Sequence, residues 1–243
     1  MGSNALVIGG TTGIGRNISD QLIVRGYEVT TISRSGGDRE NDYQCDVGDI
    51  PTLKDILIQI SSGLESIDLL SCVVGFARAR QTSQLTVEDW NETMAKNLTY
   101  VNIAFNELAE FMKKSEDPRV ITFGSRWSYQ TGCEELQPYI VAKHALRSLV
   151  EDLARRNDGL KINNFCVPTM DTPGFRFVRD SFIDLSQGVT RSFKPVELVE
   201  PTIVARSIVD YALRSDETGR ILVVNHQGNI SSLEQSMHYA KVG

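Results

Sequence analysis

A single α/β domain built on a doubly wound, Rossmann-type parallel sheet of about seven strands, with helices on both faces, is predicted by three observations. Short apolar runs alternate with amphipathic helical stretches along all 243 residues. Most of those runs are short and largely apolar, as strands covered on both faces require. The first of them ends in Gly9-Gly10-Thr11-Thr12-Gly13-Ile14-Gly15, a glycine-rich turn leading directly into a helix. No linker or repeat divides the chain, so residues 1–243 read as one domain.

Each element has a local reason. Ala5 to Ile8 is an apolar strand that stops at glycines. Ile14, Ile18, Leu22 and Ile23 then fall at helical spacing, and Gly26 closes that helix as a C-cap. Glu28 to Ser33 and Asp42 to Cys45 read as the second and third strands. The six residues between Ser35 and Asp42 are too few for a helix, so a loop should cross there. Pro51, suited to a first helical turn, opens a helix running to Ile60. Asp68 to Val74 is a buried strand, and Thr86 to Lys114 is helical, as one short and one long piece. Arg119 to Phe123, Lys161 to Val167 and Arg220 to Val224 complete the strands. Helices are expected at Pro138 to Arg156 and at Glu197 to Arg214, the latter kinked near Pro201. The stretch from Thr172 to Pro195 is the least regular and reads as a substrate loop.

Composition excludes several classes. With 41% hydrophobic and 23% charged residues the chain is ordinary for a soluble globular protein. The net charge of −6 and the absence of a basic tract argue against nucleic acid as a partner. No apolar run is long enough to span a membrane, and the opening residues lack a signal-peptide pattern. Cys45, Cys72, Cys133 and Cys166 are scattered, as expected for reduced thiols in a cytoplasmic protein. The three histidines show no ligand spacing, so no metal site is expected.

The glycine turn carries the first functional signal. Glycines permit a tight bend and close backbone approach to a pyrophosphate, while the helix that follows offers unpaired N–H groups and a positive dipole end. Gly9, Thr11, Thr12, Gly13, Ile14 and Gly15 are therefore candidate dinucleotide contacts. The second strand ends in Ser33-Arg34-Ser35, where an NAD enzyme would place a carboxylate for the ribose hydroxyls. Arg34, joined by Arg16 just after the last glycine, could instead pair with a 2′-phosphate, which points to NADP (NADPH). Solvated surface charges are the competing account of both arginines.

Tyr139 and Lys143 carry the second signal. They lie four residues apart, one helical turn, and Ser125 precedes Tyr139 by fourteen residues at a strand end. A carbonyl that accepts a hydride becomes an alkoxide and needs a proton. A phenol is a poor acid near neutral pH, and a lysine on the same helix face would lower its pKa. Ser125 could hold the substrate oxygen as charge develops.

Together these motifs resemble the short-chain dehydrogenase/reductase family over essentially the whole chain. The loop matches that family's T-G-x-x-x-G-x-G, with Ile8 in place of the threonine. The resemblance implies a catalytic set of Asn97, Ser125, Tyr139 and Lys143, with Asn97 holding a water that links Lys143 to solvent. It implies that Lys143 holds the nicotinamide ribose, that Asp46 and Val47 meet the adenine, and that Val74 and Gly75 border the cofactor. Pro168, Thr169, Met170 and Thr172 would wrap the nicotinamide. A homodimer or homotetramer through the helices carrying Asn97 and Tyr139 is a further implication.

The chain also departs from the family pattern. Cys72-Val73-Val74-Gly75 replaces N-N-A-G, so the bracing of that loop must differ. Thr169 replaces a glycine, and Asn225-His226-Gln227-Gly228 stands where D-G-G is common. The substrate, a small carbonyl or alcohol, is expected against Arg126 and Trp127, against Gln130, Cys133 and Leu136, and against Phe175, Arg176, Phe177 and Arg179. Aromatics mixed with arginines suit an apolar substrate bearing a carboxylate or phosphate. A non-catalytic NADP-binding sensor, and a non-redox lyase or epimerase on the same fold, are the alternatives.

Overall fold

A computed structural model describes residues 2–186 and 197–240. The chain runs β1 (Ser3–Ile8), α1 (Gly13–Val24), β2 (Tyr27–Ser33), β3 (Asp42–Gln44), α2 (Ile50–Ser62), β4 (Leu69–Cys72), α3 (Val87–Met94) and α4 (Tyr100–Met112). It continues with β5 (Arg119–Ser125), α5 (Gln137–Arg156), β6 (Lys161–Val167), α6 (Pro173–Ser186), α7 (Pro201–Arg214), β7 (Ile221–Val224), β8 (Ile230–Ser232) and α8 (Leu233–Ala240).

The strands form one sheet in the order β3-β2-β1-β4-β5-β6-β7-β8. Its first seven strands are parallel, as the sequence predicts, and β8 adds an antiparallel edge. Alternate residues of β1 serve opposite layers. Leu6 and Ile8 pack under α2, α4 and α5, whereas Ala5 and Val7 pack under α1 and α7. Both sets are buried, which is why the strand reads as a continuous apolar run. Leu6, Val7 and Ile8 each contribute roughly 1.5–3 kcal/mol by leaving water.

Two expectations need correction. The segment after Thr172 is a helix, α6, over its first fourteen residues. Its Val178, Phe182 and Leu185 recur at helical spacing and pack on Ala77, Ala79, Leu136 and Ile140, so burial of an apolar stripe orders it. The rest of that predicted loop, 187–195, lies outside the described residues. Pro201 starts α7 rather than kinking it, because the missing N–H of proline costs nothing in a first turn. Between β2 and β3 a bent connection replaces a helix, as its length requires, with Gly36 at φ 68° and the Ser33 hydroxyl donating to the Gly36 carbonyl at 2.9 Å.

Two local devices shape the site. Thr86 and Asp89 form a reciprocal capping box that starts α3. Between α3 and α4 the helix widens into a π-turn over Ala95–Thr99, which carries Asn97. Cys45, Cys72 and Cys166 are buried free thiols, and Cys133 is half-buried. No helix among the described residues is long and apolar enough to cross a membrane.

Candidate active site

A cleft of about 1370 Å³ opens at the carboxyl ends of the parallel strands, where the strand order reverses between β1 and β4. One wall is the glycine turn. Gly9 has φ 96°, and its N–H donates to the Ile32 carbonyl at 2.6 Å. A Cβ at Gly15 would stand 2.0 Å from the Gly9 carbonyl oxygen, so only glycine lets α1 begin this close to β1. Thr12, at the N-cap, makes no side-chain capping bond, and the first turn of α1 holds no acid. The start of α1, Gly13 to Gly15, thus borders the cleft without a capping side chain from Thr12.

Arg34 lines the same wall with Ser33 and Ser35. Arg16 does not reach it. Arg16 lies on the outer side of α1 in a half-exposed pair with Asp20 at 3.0 Å, one helical turn away. Asp46 and Val47 border the cleft beyond β3. Partial burial pushes the Asp46 carboxyl up, but the Gly48 N–H, the Lys96 ammonium at 2.9 Å and the charge of Arg34 together hold it below the usual range.

Across the cleft, β5 delivers Ser125 and α5 delivers Tyr139 and Lys143. Ser125 and Tyr139 line this wall together, and the Ser125 hydroxyl oxygen accepts the Trp127 N–H at 3.4 Å. Lys143, 3% exposed, donates to the Phe123 carbonyl at 2.8 Å, with its Nζ 5.6 Å from the centre of the Tyr139 ring. Burial pulls the lysine down to about 8. Burial also pushes the phenol up to about 12, opposed in part by the neighbouring Ser125 hydroxyl. The expectation that Lys143 lowers the Tyr139 pKa is therefore not met. The ammonium is turned to the Phe123 carbonyl, and burial is the largest influence on the phenol.

Asn97 is fully buried beneath this group and is committed to backbone. Its Nδ2 donates to the carbonyls of Phe76 (2.7 Å) and Thr93 (2.8 Å), and its Oδ1 accepts the Phe76 N–H at 3.1 Å. Tyr100 donates to the Val74 carbonyl at 3.0 Å. These two side chains of the π-turn and α4 brace the segment after β4, doing from the helix side what the Cys72-Val73-Val74-Gly75 sequence does not do from within. Val74 and Gly75 line the cleft. A Cβ at Gly75 would come 3.8 Å from the Lys143 Nζ, so the backbone passes close to the lysine.

Pro168, Thr169, Met170 and Thr172 lie along the roof. The Thr169 carbonyl accepts from Val199 at 3.0 Å, and Thr172 caps α6 through the Phe175 N–H at 3.2 Å. At the outer end Trp127, Gln130, Cys133, Leu136, Phe175 and Phe177 line the walls, with Arg126 at the mouth. Arg176 and Arg179 do not join them. The helical phase that turns Phe175, Val178 and Phe182 inward turns both arginines outward, into exposed pairs with Asp171 and Asp180. Phe76, Arg78 and Lys96 line the cleft without having been singled out in the sequence. Lys96 neighbours Asn97, but its direction depends on the π-turn, and Arg78 lies in a loop with no periodic signal.

The model of the short chain dehydrogenase family matches residues 3–181. A 3-oxoacyl-[acyl-carrier-protein] reductase of Escherichia coli is 27% identical over 240 residues, covering 92% of this chain and 96% of that protein. An acetoacetyl-CoA reductase of Rhizobium meliloti is 28% identical over 229 residues, covering 89% and 92%. An actinorhodin polyketide ketoreductase solved with NADPH superposes with a TM-score of 0.79 at 20% identity, covering 94% of this chain and 98% of that one. With the family match extending through the glycine turn, both cleft walls and the start of α6, this chain belongs to the short chain dehydrogenase family.

Proposed function

We propose that this protein is an NADP(H)-dependent oxidoreductase that moves a hydride between the nicotinamide and a carbonyl or alcohol substrate. The observation that carries the reading is the meeting, in one cleft, of the uncapped first turn of α1 with Ser125, Tyr139 and buried Lys143. The residues fit the cofactor. Gly9 to Gly15 and the start of α1 would hold the pyrophosphate, and Arg34 with Ser33 and Ser35 would take the 2′-phosphate at a strand end that has no carboxylate. Asp46 and Val47 would border the adenine, and Lys143 the nicotinamide ribose. Ketoreductases among the relatives, and the NADP bound to a Burkholderia cenocepacia neighbour, support the same choice.

When bound, the nicotinamide supplies the hydride. The proton is this chain's task. With its pKa pushed up to about 12, Tyr139 is fully protonated at neutral pH. An alkoxide is a far stronger base than a phenolate, so the alkoxide formed from a reduced carbonyl takes the proton from the Tyr139 oxygen. Lys143, pulled down to about 8 yet mostly cationic at pH 7, stabilises the phenolate left behind. Ser125 holds the substrate oxygen beside Tyr139, and Asn97 positions the Phe76 backbone under the lysine.

Following NADPH consumption with a panel of activated ketones and aldehydes tests the reading. Turnover that falls about a thousandfold or more in Tyr139→Phe, with NADPH binding within a few-fold of wild type, is expected. Tight NADPH binding with no carbonyl reduced would favour the sensor alternative. A homodimer or homotetramer through α4 and α5 belongs to the same reading, and sedimentation as a 27.0 kDa monomer would remove it.

A further inference from the structure

Five lysines and arginines among the described residues line the cleft: Arg34, Arg78, Lys96, Arg126 and Lys143. Three are already spoken for. Lys96 bridges Asp46 at 2.9 Å and Glu92 at 3.0 Å. Arg78 lies against the adjoining rings of Phe76 and Phe177, 5.4 and 5.6 Å from their centres, with Glu92 at 3.8 Å. Lys143 is buried on the Phe123 carbonyl. The remaining two form no ion pair among the described residues, and they stand at opposite ends. Arg34 closes β2 at the nucleotide end, and Arg126 follows Ser125 at the reacting end.

Arg126 is also pre-positioned. Its guanidinium stacks on the Trp127 ring at 4.9 Å, which orients the planar fork without using its N–H donors. Glu135 lines the cleft as well, and its carboxylate accepts from the Cys133 thiol at 3.5 Å. Behind Arg126 the cleft is apolar, walled by Trp127, Leu136, Val178 and Phe182. Arg126 follows Ser125 directly in the chain and lines the same cleft, so one substrate molecule can span an anion held by Arg126 and a carbonyl held by Ser125.

We propose that Arg126 anchors an anionic group, a carboxylate or a phosphate, carried on the apolar body of the substrate a few carbons from the reacting carbonyl. This rests on the proposed carbonyl reductase reading for the word substrate, and on the cleft geometry alone for the anion. Arg176 and Arg179, the other arginines of the predicted substrate stretch, have no part in it, since both face out of the cleft.

The test compares benzoylpropionate, its phosphonate analogue and its neutral methyl ester, with saturating NADPH, in wild type, Arg126→Gln and Arg126→Lys. One readout is kcat/KM. The other is equilibrium binding of benzoate and of methyl benzoate, followed by Trp127 fluorescence. Wild type is expected to prefer an anion over the ester by about tenfold or more, the size of one charge-assisted hydrogen-bonded pair. Arg126→Gln should erase that preference, and Arg126→Lys should keep part of it. The stronger of the two anions identifies carboxylate or phosphate. Equal kcat/KM and equal binding for acid and ester, or a preference that survives Arg126→Gln, would overturn the proposal. If no carbonyl is reduced, the reductase reading fails, and the benzoate titration still decides whether Arg126 binds an anion.

Discussion

Replacing Lys143 with methionine should make the cofactor-free protein more stable while destroying its activity. Lys143 is buried, and burial lowers its pKa from 10.5 to about 8. At 1.36 kcal/mol per pH unit, the folded state carries a penalty of about 3 kcal/mol for holding this cation at neutral pH. Methionine removes the penalty at similar volume but loses the bond to the Phe123 carbonyl, which costs about 1 kcal/mol. The net gain at pH 7 is about 2 kcal/mol, or a rise in Tm of about 4–8 °C for a chain of this size. The sign has a definite pH dependence. The folded pKa lies below the unfolded one, so between about 8 and 10.5 the unfolded chain binds more protons and wild-type stability climbs with pH. The advantage of Lys143→Met is therefore complete below pH 8, shrinks above it, vanishes near about pH 10 and gives way to a small deficit once only the lost bond remains. Urea unfolding of both proteins across pH 7–10 measures this, and the difference cancels thiols and phenols common to the two. A variant no more stable than wild type at pH 7, or a gap that does not change with pH, would refute the reasoning.

Three further outcomes follow from the same geometry. Gly15→Ala places a methyl group 2.0 Å from the Gly9 carbonyl, so the turn must open. NADPH affinity should fall at least about a hundredfold with a stability loss of about 1–3 kcal/mol, and near-normal fluorescence titration would contradict the cradle. Arg34→Ser should weaken NADPH by about tenfold to a hundredfold, as expected for loss of a charge-assisted phosphate contact. NADH should be little affected, and a parallel loss for both would place the 2′-phosphate elsewhere. Asn97→Ala leaves the Phe76 N–H and the Phe76 and Thr93 carbonyls without their partner. Denaturant unfolding should show a loss of about 2–4 kcal/mol, whereas a change under about 0.5 kcal/mol would mean water replaces the amide freely.

What could be read from the sequence was whatever depends on neighbours along the chain. Gly9, Gly13 and Gly15 describe a turn whose geometry is local, and Tyr139 and Lys143 share a helix face because they are four residues apart. The apolar runs of β1, β4 and β5 announced a covered sheet without any knowledge of their partners. The stripe of Val178, Phe182 and Leu185 was present too, but Gly174 and the surrounding arginines and serines masked it, and its partner surface around Leu136 and Ile140 is distant in sequence. β8 has only three residues, Ile-Ser-Ser, and exists because the edge of β7 offers unpaired backbone.

The tertiary structure alone decided which charges serve the cleft. Arg16, Arg34, Arg78, Arg126, Arg176 and Arg179 are equivalent as letters, yet helical phase sends Arg16, Arg176 and Arg179 to solvent partners. Arg78 is locked among Phe76, Phe177 and Glu92, while Arg34 and Arg126 are left at the two ends of the cleft. The same holds for Tyr139 and Lys143. Their spacing predicted that they would meet, but their pKa values depend on how completely the surrounding layers exclude water, and that burial is a property of the assembled fold.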